Sequence, residues 1–400
     1  MTSSSTFLLG VATTSVMGFG GYKIIQDSLT VGEFVEFTVL LGLMIAPIVQ
    51  MSSVGSQLTE ALAGLDRTEE LMNLEEESDE ENRTIELDKV VGRMSFSDVS
   101  FSYEEDKEVL HNISFDVEPG QVIALVGSSG SGKSTIAGLA ASFLNPDSGT
   151  IIIDGHDLSK VNLNSFRQHL GVVLQDDFLF EGTIRENILF PRPDASEEKL
   201  LEAVKAAYVD EFTDRFDKGL DTLIGERGVK LSGGQRQRIG IARAIALNPK
   251  LVICDEPVSA LDVSIQSQIL NLLVDLQREF KLSYLFIAHD LAVVKHVSDR
   301  VAIMYLGKIV ETAASETIYH RARHPYTQSL IAAIPVPDPH RSLERQVLRG
   351  DVPSPINPPS GCSFHPRCPV AEPRCAEQAP ELVEVGAGQL AACHLIQRQA

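Results

Sequence analysis

The stretch that decides the fold is Gly127-Ser128-Ser129-Gly130-Ser131-Gly132-Lys133-Ser134-Thr135. It follows an apolar run, Val122 to Val126, and precedes a helical stretch of small residues, Ile136 to Leu144. That order of strand, glycine loop and helix is the context in which G-x-x-x-x-G-K-[ST] is a phosphate-binding loop. Glycines allow a tight turn in which successive backbone N–H groups point at phosphate oxygens. The sequence therefore predicts nucleoside triphosphate binding; the alternative is a flexible glycine-rich loop.

A second strand ends in two carboxylates and supplies the rest of the predicted chemistry. The apolar run from Leu251 to Cys254 leads directly into Asp255 and Glu256. Such a strand lies beside the phosphate loop in a parallel sheet, with its carboxyl end at the nucleotide. We expect Lys133 to reach the β- and γ-phosphates, and Ser134 to bind Mg²⁺ together with Asp255, which acts through water. Glu256 is the candidate base for the attacking water.

Several shorter features complete a pattern that one family shares. They are, along the chain, Tyr103, Gln175, Leu231-Ser232-Gly233-Gly234-Gln235, Ser259-Ala260-Leu261-Asp262 and His289, which follows the apolar run Tyr284 to Ala288. Each is weak evidence alone, because an isolated Gln or His is usually a polar residue at a strand end. Together with the phosphate loop and the two carboxylates, they make residues 94 to 335 resemble the ATP-binding-cassette (ABC) ATPases.

The resemblance implies a role for each of these residues. Tyr103 would stack on adenine, and the whole loop from Gly127 to Thr135 would bind the nucleotide. Gln175 would touch both Mg²⁺ and the attacking water, and His289 would contact the γ-phosphate beside the catalytic Glu256. The implied cofactors are ATP and Mg²⁺.

The LSGGQ signature implies a dimer. It opens a helical stretch, Gln235 to Leu247, and is a second glycine-bearing helix N-terminus, so it is a second anion site. In the family, the nucleotide-binding residues of this signature act on the ATP of the opposite subunit; here they are Ser232, Gly233, Gly234 and Gln235. The expected arrangement is a head-to-tail dimer with a second ABC ATPase subunit.

The implied fold class is α/β, a P-loop NTPase of ABC type with a RecA-like core. A small antiparallel β-subdomain would come from Met94 to Val122, and an α-helical subdomain from about residue 176 to residue 245. The 400 residues leave room for two or three units. We expect a truncated transmembrane helical segment at 1–75, an acidic linker at 76–93, the ABC ATP-binding domain at 94–317 and a C-terminal extension at 318–400.

Charge excludes one class of function and marks one linker. The net charge of −21 and the pI near 4.9 argue against a general nucleic-acid binder. Much of the acid lies in one run, Glu75 to Glu81, which is most simply a solvated linker.

The N-terminal region predicts a membrane hairpin. Met1 to Tyr22 and Phe37 to Thr59 contain no charged residue, and a transmembrane helix needs about 20 mainly apolar residues. Two buried helices of a soluble domain are the alternative. Residues 32 to 74 resemble the last transmembrane helix of ABC exporters, and residues 1 to 30 resemble the helix before it. A full exporter subunit carries six such helices, so this chain alone would not enclose a substrate path.

The ATPase itself reads as a composite of two families. Gln175 to Ile188 and Gly225 to Gly228 resemble exporter loops, whereas residues 248 to 262, 288 to 290 and 324 to 330 resemble oligopeptide and dipeptide importer ATPases. The change falls near residues 231 to 250, which both families share closely. A fusion at this shared stretch is our hypothesis.

The sequence therefore predicts an ATP-binding and ATP-hydrolysing subunit of an ABC transporter that powers peptide transport across the membrane. Its partners would be transmembrane permease subunits, and its ATPase would lie on the cytoplasmic side of the cell membrane. The alternatives are an exporter-type half-transporter fragment for drugs or lipids, a non-transport ABC ATPase, and a chimeric chain with no productive partner.

Four of the five cysteines lie in the last 40 residues, at Cys362, Cys368, Cys375 and Cys393. The many prolines around them predict loop rather than helix or strand, whereas Cys254 is most simply a small core residue. A cytoplasmic ATPase argues against disulfides, and the C-x₂₋₄-C pairs typical of zinc are absent. Disulfides, zinc and unliganded thiols stay open as alternatives to an iron–sulfur cluster, which four thiolates on irregular loops would hold. The tail is similar to the extension of the peptide importer ATPases, which in some members carries a four-iron, four-sulfur cluster.

Overall fold

The computed structural model describes residues 2–74, 82–104, 107–175, 178–225, 231–335, 350–355 and 357–397. The chain divides into two compact units, Met1–Glu80 and Glu81–Ala400. The acidic run 75–81 lies outside the described residues, as do 176–177 and 226–228 of the exporter-like loops.

The first unit consists of two helices, α1 (Thr2–Ile25) and α2 (Val31–Met72). A capping box starts α2, because the Thr30 side chain accepts from the Glu33 N–H and the Glu33 carboxylate accepts from the Thr30 N–H. The helices meet closely at Gly20, where a Cβ would lie only 2.0 Å from the Phe34 ring.

The prediction of a transmembrane hairpin is wrong for the part of this unit that the structure describes. None of its helices combines the length and the apolarity needed to cross a membrane. Gly, Ser and Thr recur through α1, and charged residues occupy both ends of α2, at Glu33 and Glu36 and again from Glu60 to Glu70.

The second unit contains the remaining elements. Its strands are β1 (Met94–Ser102), β2 (Glu108–Val117), β3 (Val122–Gly127), β4 (Ser148–Ile153), β5 (His156–Asp157), β6 (Leu170–Val173), β7 (Gly182–Thr183), β8 (Leu223–Ile224), β9 (Leu251–Asp255), β10 (Ser283–Ala288), β11 (Arg300–Tyr305), β12 (Lys308–Ala314), β13 (Val383–Gly386) and β14 (Gln389–Ala391). Its helices are α3 (Lys133–Ala140), α4 (Leu163–Arg167), α5 (Ile184–Leu189), α6 (Glu197–Ala206), α7 (Asp210–Thr213), α8 (Gly233–Ile245), α9 (Val263–Phe280), α10 (Leu291–Val297), α11 (Ser315–Arg321), α12 (Pro325–Ala332), α13 (Pro373–Glu377) and α14 (His394–Gln397).

Two sheets organise this unit. The main sheet has eight strands in the order β13-β14-β12-β11-β3-β10-β9-β6. The five strands from β11 to β6 run parallel to one another, and β12 pairs antiparallel with β11. The second sheet has the order β2-β1-β4-β5 and is antiparallel. The predicted antiparallel subdomain is therefore present, but half of its strands come from residues 148–157, after the phosphate loop. The predicted helical subdomain corresponds to α5 through α8.

The central strands are buried on both faces, as parallel strands covered by two layers must be. In β3, Val122, Ala124 and Val126 enter the core on the side of the helical subdomain. Ile123 and Leu125 enter the core on the side of α3 and the antiparallel sheet. Because both cores fix this strand, the loop that leaves its end starts from a rigid base.

The C-terminal tail continues the main sheet, since β14 pairs with β12 and β13 pairs with β14. The prediction that the cysteine region is only loop is wrong, because Cys375 lies on α13 and Cys393 follows β14. Helix α13 forms despite its proline because Pro373 occupies the first turn, where no backbone N–H is needed. Cys254 is fully buried in β9, which confirms its assignment to the core.

Candidate nucleotide-binding site

The predicted site residues gather at one edge of the main sheet. The phosphate loop follows β3, Glu256 follows β9, His289 follows β10 and Gln175 follows β6. These strands are parallel neighbours, so their carboxyl ends share one edge. In open α/β sheets this is the edge where ligands bind.

Glycine is required at two positions of the phosphate loop by close approach of other atoms. A Cβ at Gly127 would lie 2.3 Å from the carbonyl oxygen of Met304, at the end of β11. Gly132 has a φ of +95°, and a Cβ there would lie 2.5 Å from the Leu110 side chain. The loop is thus pressed against the sheet while its chain turns into α3, which starts at Lys133.

Lys133 is buried against the loop that it follows. Its Nζ donates to the carbonyl oxygens of Gly127 and Ser128, each at 3.0 Å, and lies 3.4 Å from Ser131 Oγ. Burial lowers the pKa of Lys133, while the nearby carboxylates of Glu256 and Asp255 act in the opposite direction. The ammonium is therefore a positive point charge held at the loop, as phosphate binding requires.

Ser134 and Asp255 form an oxygen pair suited to Mg²⁺. Ser134 Oγ donates to Asp255 Oδ1 at 3.2 Å. Burial raises the pKa of Asp255, and the hydrogen bond from Ser134 counters that rise. Mg²⁺ takes hard oxygen ligands and is usually held by one or two carboxylates, with substrate phosphates and water completing its shell. Gln175 is exposed at the neighbouring strand end, on the same edge.

Glu256 and His289 form a hydrogen-bonded pair. His289 Nδ1 lies 2.9 Å from Glu256 Oε2, and the Glu256 N–H donates to the Ile287 carbonyl at 3.0 Å. The backbone φ of Glu256 is +48°, in the left-handed region that non-glycine residues rarely occupy. Strained backbone of this kind is held by its surroundings and clusters at functional sites.

A small cavity adjoins this pair. Its volume is about 40 Å³, and its lining includes Glu256, Ser259, Gln266 and His289. A cavity of this volume has room for a water molecule, and these four side chains offer it hydrogen-bond partners. The geometry therefore supports a carboxylate base with an oriented histidine beside it.

Tyr103 and the phosphate loop helix meet through one hydrogen bond. The Tyr103 hydroxyl lies 3.2 Å from Thr135 Oγ1, and its ring makes an edge contact with Phe101 at 4.9 Å between centroids. The Tyr103 residue is 61% exposed, so its ring is accessible to a base.

The signature is a preorganised helix N-terminus. Ser232 caps α8 by accepting from the Gln235 N–H, and the Gln235 side chain accepts from the Ser232 N–H at 2.9 Å. A Cβ at Gly234 would lie 2.7 Å from Ile265, so glycine lets α8 approach α9. Helix α8 packs on β6, α5, α6 and α9, whereas α3 packs on β3, β9 and β10. The two helices that begin at glycine-bearing N-termini, α3 and α8, thus pack on different elements.

The four tail cysteines converge on one another. Cys375, Cys393 and Cys368 all lie close enough to the Cys362 thiol to oppose its ionisation, Cys393 and Cys375 do the same to Cys368, and Cys375 does so to Cys393. Burial raises the pKa of Cys362 to about 11 and also raises the pKa values of Cys368 and Cys393. Among the described residues, no group of three or more His, Cys, Asp or Glu side chains is arranged to hold a single metal ion.

The fold and the site define a P-loop ATPase, and comparison with known proteins defines its family. The family model described as "ABC transporter" matches residues 110–259. A second model, "Oligopeptide/dipeptide transporter, C-terminal region", matches residues 310–375.

Two relatives illustrate the similarity. One relative is a protein of Brucella ovis that is named as a peptide import ATP-binding protein. It is 45% identical over 298 residues, and the match covers 72% of this chain and 91% of that protein. The oligopeptide transport ATP-binding protein AppF of Bacillus subtilis is 44% identical over 300 residues, covering 72% of this chain and 90% of AppF. This chain belongs to the ATP-binding proteins of ABC transporters and is an ABC-type ATPase.

A solved structure matches as well. The bacterial Atm1-family ABC exporter with ATP bound has a TM-score of 0.59 and 31% sequence identity, and the match covers 80% of this chain. This chain spans 55% of that exporter chain.

Sequence reasoning missed one contact at the site. The Ser128 N–H donates to the hydroxyl of Tyr326, which lies 198 residues further along the chain. The signal was present, because Tyr326 belongs to the His324-Pro325-Tyr326 stretch that carries the importer resemblance. Only the fold shows that this stretch reaches the phosphate loop.

Proposed function

We propose that this chain is the ATP-hydrolysing subunit of a peptide importer of the oligopeptide or dipeptide class. The observation that carries the proposal is the match of residues 310–375 to the C-terminal region of oligopeptide/dipeptide transporters. The names of the Brucella ovis and Bacillus subtilis relatives, both about nine-tenths covered, support the same class of substrate.

Different residues of the site bind ATP, hold Mg²⁺ and activate the attacking water. Lys133 and the loop N–H groups bind the phosphates, and Tyr103 offers its exposed ring to adenine. Ser134, Asp255 and Gln175 would hold Mg²⁺, which neutralises phosphate charge when bound. Glu256 takes the proton of the attacking water, and His289, bonded to Glu256 at 2.9 Å, keeps the carboxylate oriented.

The second anion site completes the nucleotide site of a partner. Ser232 and the two glycines that follow it start α8 with a satisfied cap and an exposed helix N-terminus. In a head-to-tail pair, each ATP lies between the phosphate loop of one subunit and the signature of the other. Separate permease subunits would then place the ATPase at the cytoplasmic face of the cell membrane.

We propose the domain boundaries that the sequence predicts. The ATP-binding domain at 94–317 ends after β12 has joined the sheet, and the extension at 318–400 begins within α11. The N-terminal segment at 1–75 and the linker at 76–93 precede the catalytic part.

Complementation tests the peptide-import proposal. The full chain is expressed in a Bacillus subtilis strain that lacks AppF, and uptake of a labelled oligopeptide is measured. We expect uptake to be restored by the chain and not by its Lys133→Ala variant. No uptake from a chain that still hydrolyses ATP, and that binds no peptide permease in a pull-down, would contradict the proposal.

The alternative function is that of an exporter half. It is favoured by one observation, the match of 80% of this chain to an Atm1-family exporter. An exporter ATPase is joined to its own membrane helices, whereas an importer ATPase binds separate permeases. Recovery of the purified complex with peptide permease subunits favours import, and recovery with a second exporter half favours export.

We further propose that Cys362, Cys368, Cys375 and Cys393 hold a four-iron, four-sulfur cluster. Their mutual proximity supports this assignment, because a cluster takes each thiolate on a different iron and needs no single-ion geometry. Burial disfavours bare thiolates here, and iron would offset that cost. A cluster at this position would be structural or regulatory, since the ATP site has its own ligands.

Metal analysis of anaerobically purified protein tests the cluster. We expect iron and sulfide in the full chain, strongly reduced by Cys375→Ser and unchanged by the control Cys254→Ala, whose thiol lies in β9. Stoichiometric zinc without iron, or equal iron in both variants, would contradict the assignment.

A further inference from the structure

Tyr326 contacts the phosphate loop at a backbone group. Its hydroxyl accepts a hydrogen bond from the Ser128 N–H at 3.2 Å. The Tyr326 residue is 2% exposed, so water does not replace this bond readily. Ser128 is half-buried, and its N–H is paired with this buried hydroxyl. Loss of the partner of a backbone N–H that is partly shielded from water costs free energy, which makes the hydroxyl a defining contact of this loop.

The peptide group that Tyr326 binds also binds Lys133. The Gly127 carbonyl and the Ser128 N–H belong to one planar peptide unit. Lys133 Nζ donates to the Gly127 carbonyl at 3.0 Å, and Tyr326 accepts from the Ser128 N–H. A rotation of this plane would therefore move the acceptor that holds the ammonium.

We propose that Tyr326 is a positioning residue for ATP binding, which fixes the 127–128 peptide plane and, through it, Lys133. This role is distinct from hydrolysis, because Glu256 and His289 follow β9 and β10 and are held by each other and by the Ile287 carbonyl rather than by Tyr326. The expected consequence is an effect on nucleotide affinity with little effect on turnover at saturating ATP.

Strand β11 and the cysteine-bearing tail hold Tyr326 in place from two sides. Its ring contacts Tyr305 at 4.7 Å and Phe364 at 5.3 Å between centroids, and its N–H donates to His324 Nδ1 at 3.1 Å. Phe364 is 1% exposed and lies two residues after Cys362. The cysteine region therefore reaches the phosphate loop through one aromatic stack.

A buried carboxylate anchors the segment that carries Tyr326. Glu311 on β12 is fully buried. It accepts from the Arg323 N–H at 2.7 Å, from the His324 N–H at 2.9 Å and from Gln389 Nε2 at 2.7 Å. Because Gln389 lies on β14, the start of α12 and the tail strand share one anchor.

The test compares two tyrosines of the same stack. Tyr326→Phe removes the acceptor of the Ser128 N–H, and Tyr305→Phe removes a hydroxyl of the same stack whose polar neighbour is Arg367. In the full chain, we expect Tyr326→Phe to raise the Kd for a fluorescent ATP analogue and the KM for ATP on the order of tenfold. We expect kcat to change less than twofold.

The control and the readouts separate positioning from general damage. Tyr305→Phe should leave Kd and KM unchanged, and thermal melting should show both variants folded. Unchanged Kd in Tyr326→Phe, an equal rise in Tyr305→Phe, or a fall in kcat at constant KM would overturn the proposal.

A third variant tests the link to the tail. Phe364→Leu keeps an apolar side chain of similar volume but removes the ring that contacts Tyr326. We expect its Kd for the ATP analogue to rise in the same direction as that of Tyr326→Phe, by a smaller factor. An unchanged Kd in a folded Phe364→Leu protein would show that the stack does not act on the loop.

Discussion

At the scale of single residues, the site depends on side chains that the surrounding fold holds in costly states. Glu256 occupies the left-handed region of backbone conformation, and Lys133 is buried beside two carboxylates. Such states persist only where neighbours fix them, here the Ile287 carbonyl and the phosphate loop. The same neighbours define what each substitution should do.

Glu256→Gln should separate binding from hydrolysis. The amide keeps the size and the hydrogen-bonding reach of the side chain but does not take a proton from water. We expect ATP binding within about threefold of the parent and hydrolysis lower by roughly 10² or more. The check is steady-state phosphate release alongside equilibrium ATP binding; parental turnover in this variant would remove Glu256 from the role of base.

Lys133→Ala and Ser232→Arg should impair different steps, namely ATP binding to one subunit and hydrolysis by the pair. The first removes the positive charge at the loop and should weaken ATP binding to a single subunit by about tenfold or more. The second places a bulky cation at the N-terminus of α8 and should spare binding to one subunit while blocking hydrolysis in the pair. Equal loss of single-subunit binding in both variants, measured at low protein concentration, would contradict the two-site assignment.

At the scale of elements, the start of α12 links the tail to the ATPase and contains a buried histidine. His324 caps α12 through Nδ1, and its ring is 1% exposed. Burial lowers the pKa of His324 from 6.5 to about 4. The folded chain therefore holds this imidazole neutral at pH values where an unfolded chain protonates it.

This linkage predicts a loss of stability in mild acid. Between pH 6.5 and pH 4 the unfolded state binds more protons at His324, so the free energy of unfolding falls as the pH falls. The loss from this group between pH 7 and pH 5 should be about 2 kcal/mol. We expect thermal melting of the unit to shift down over this range, and the shift to shrink in His324→Asn, which retains a capping side chain. An equal shift in both proteins would assign the acid sensitivity to other groups.

Sequence patterns predicted the elements around the nucleotide site and missed those of the tail. The strands β3, β9 and β10 are continuous apolar runs that end in chemistry-bearing residues, and parallel topology alone brings those ends together. By contrast, β13 and β14 are short, and the pairing of β14 with β12 spans about 80 residues of chain, as in the pairing of Glu311 with Ala391. No local pattern encodes such a pairing, and none encodes the contact of Tyr326 with Ser128.

At the scale of the whole molecule, one chain supplies two half-sites. Helix α3, which follows the phosphate loop, packs on β3, β9 and β10. Helix α8, which begins at the signature, packs on β6, α5, α6 and α9. Each half-site is a glycine-bearing helix N-terminus, and a bound triphosphate offers enough negative charge for both. We therefore expect ATP to join two chains head to tail before it is hydrolysed.

Sedimentation of the purified Glu256→Gln protein with and without Mg-ATP measures this directly. Without nucleotide, we expect a particle with the mass of one chain, 43.6 kDa. With saturating ATP, we expect a particle of about twice that protein mass. Adding Ser232→Arg to Glu256→Gln should abolish the larger particle while leaving ATP bound. A Glu256→Gln protein that binds ATP and keeps the mass of one chain, or a larger particle that Ser232→Arg leaves intact, would contradict the account.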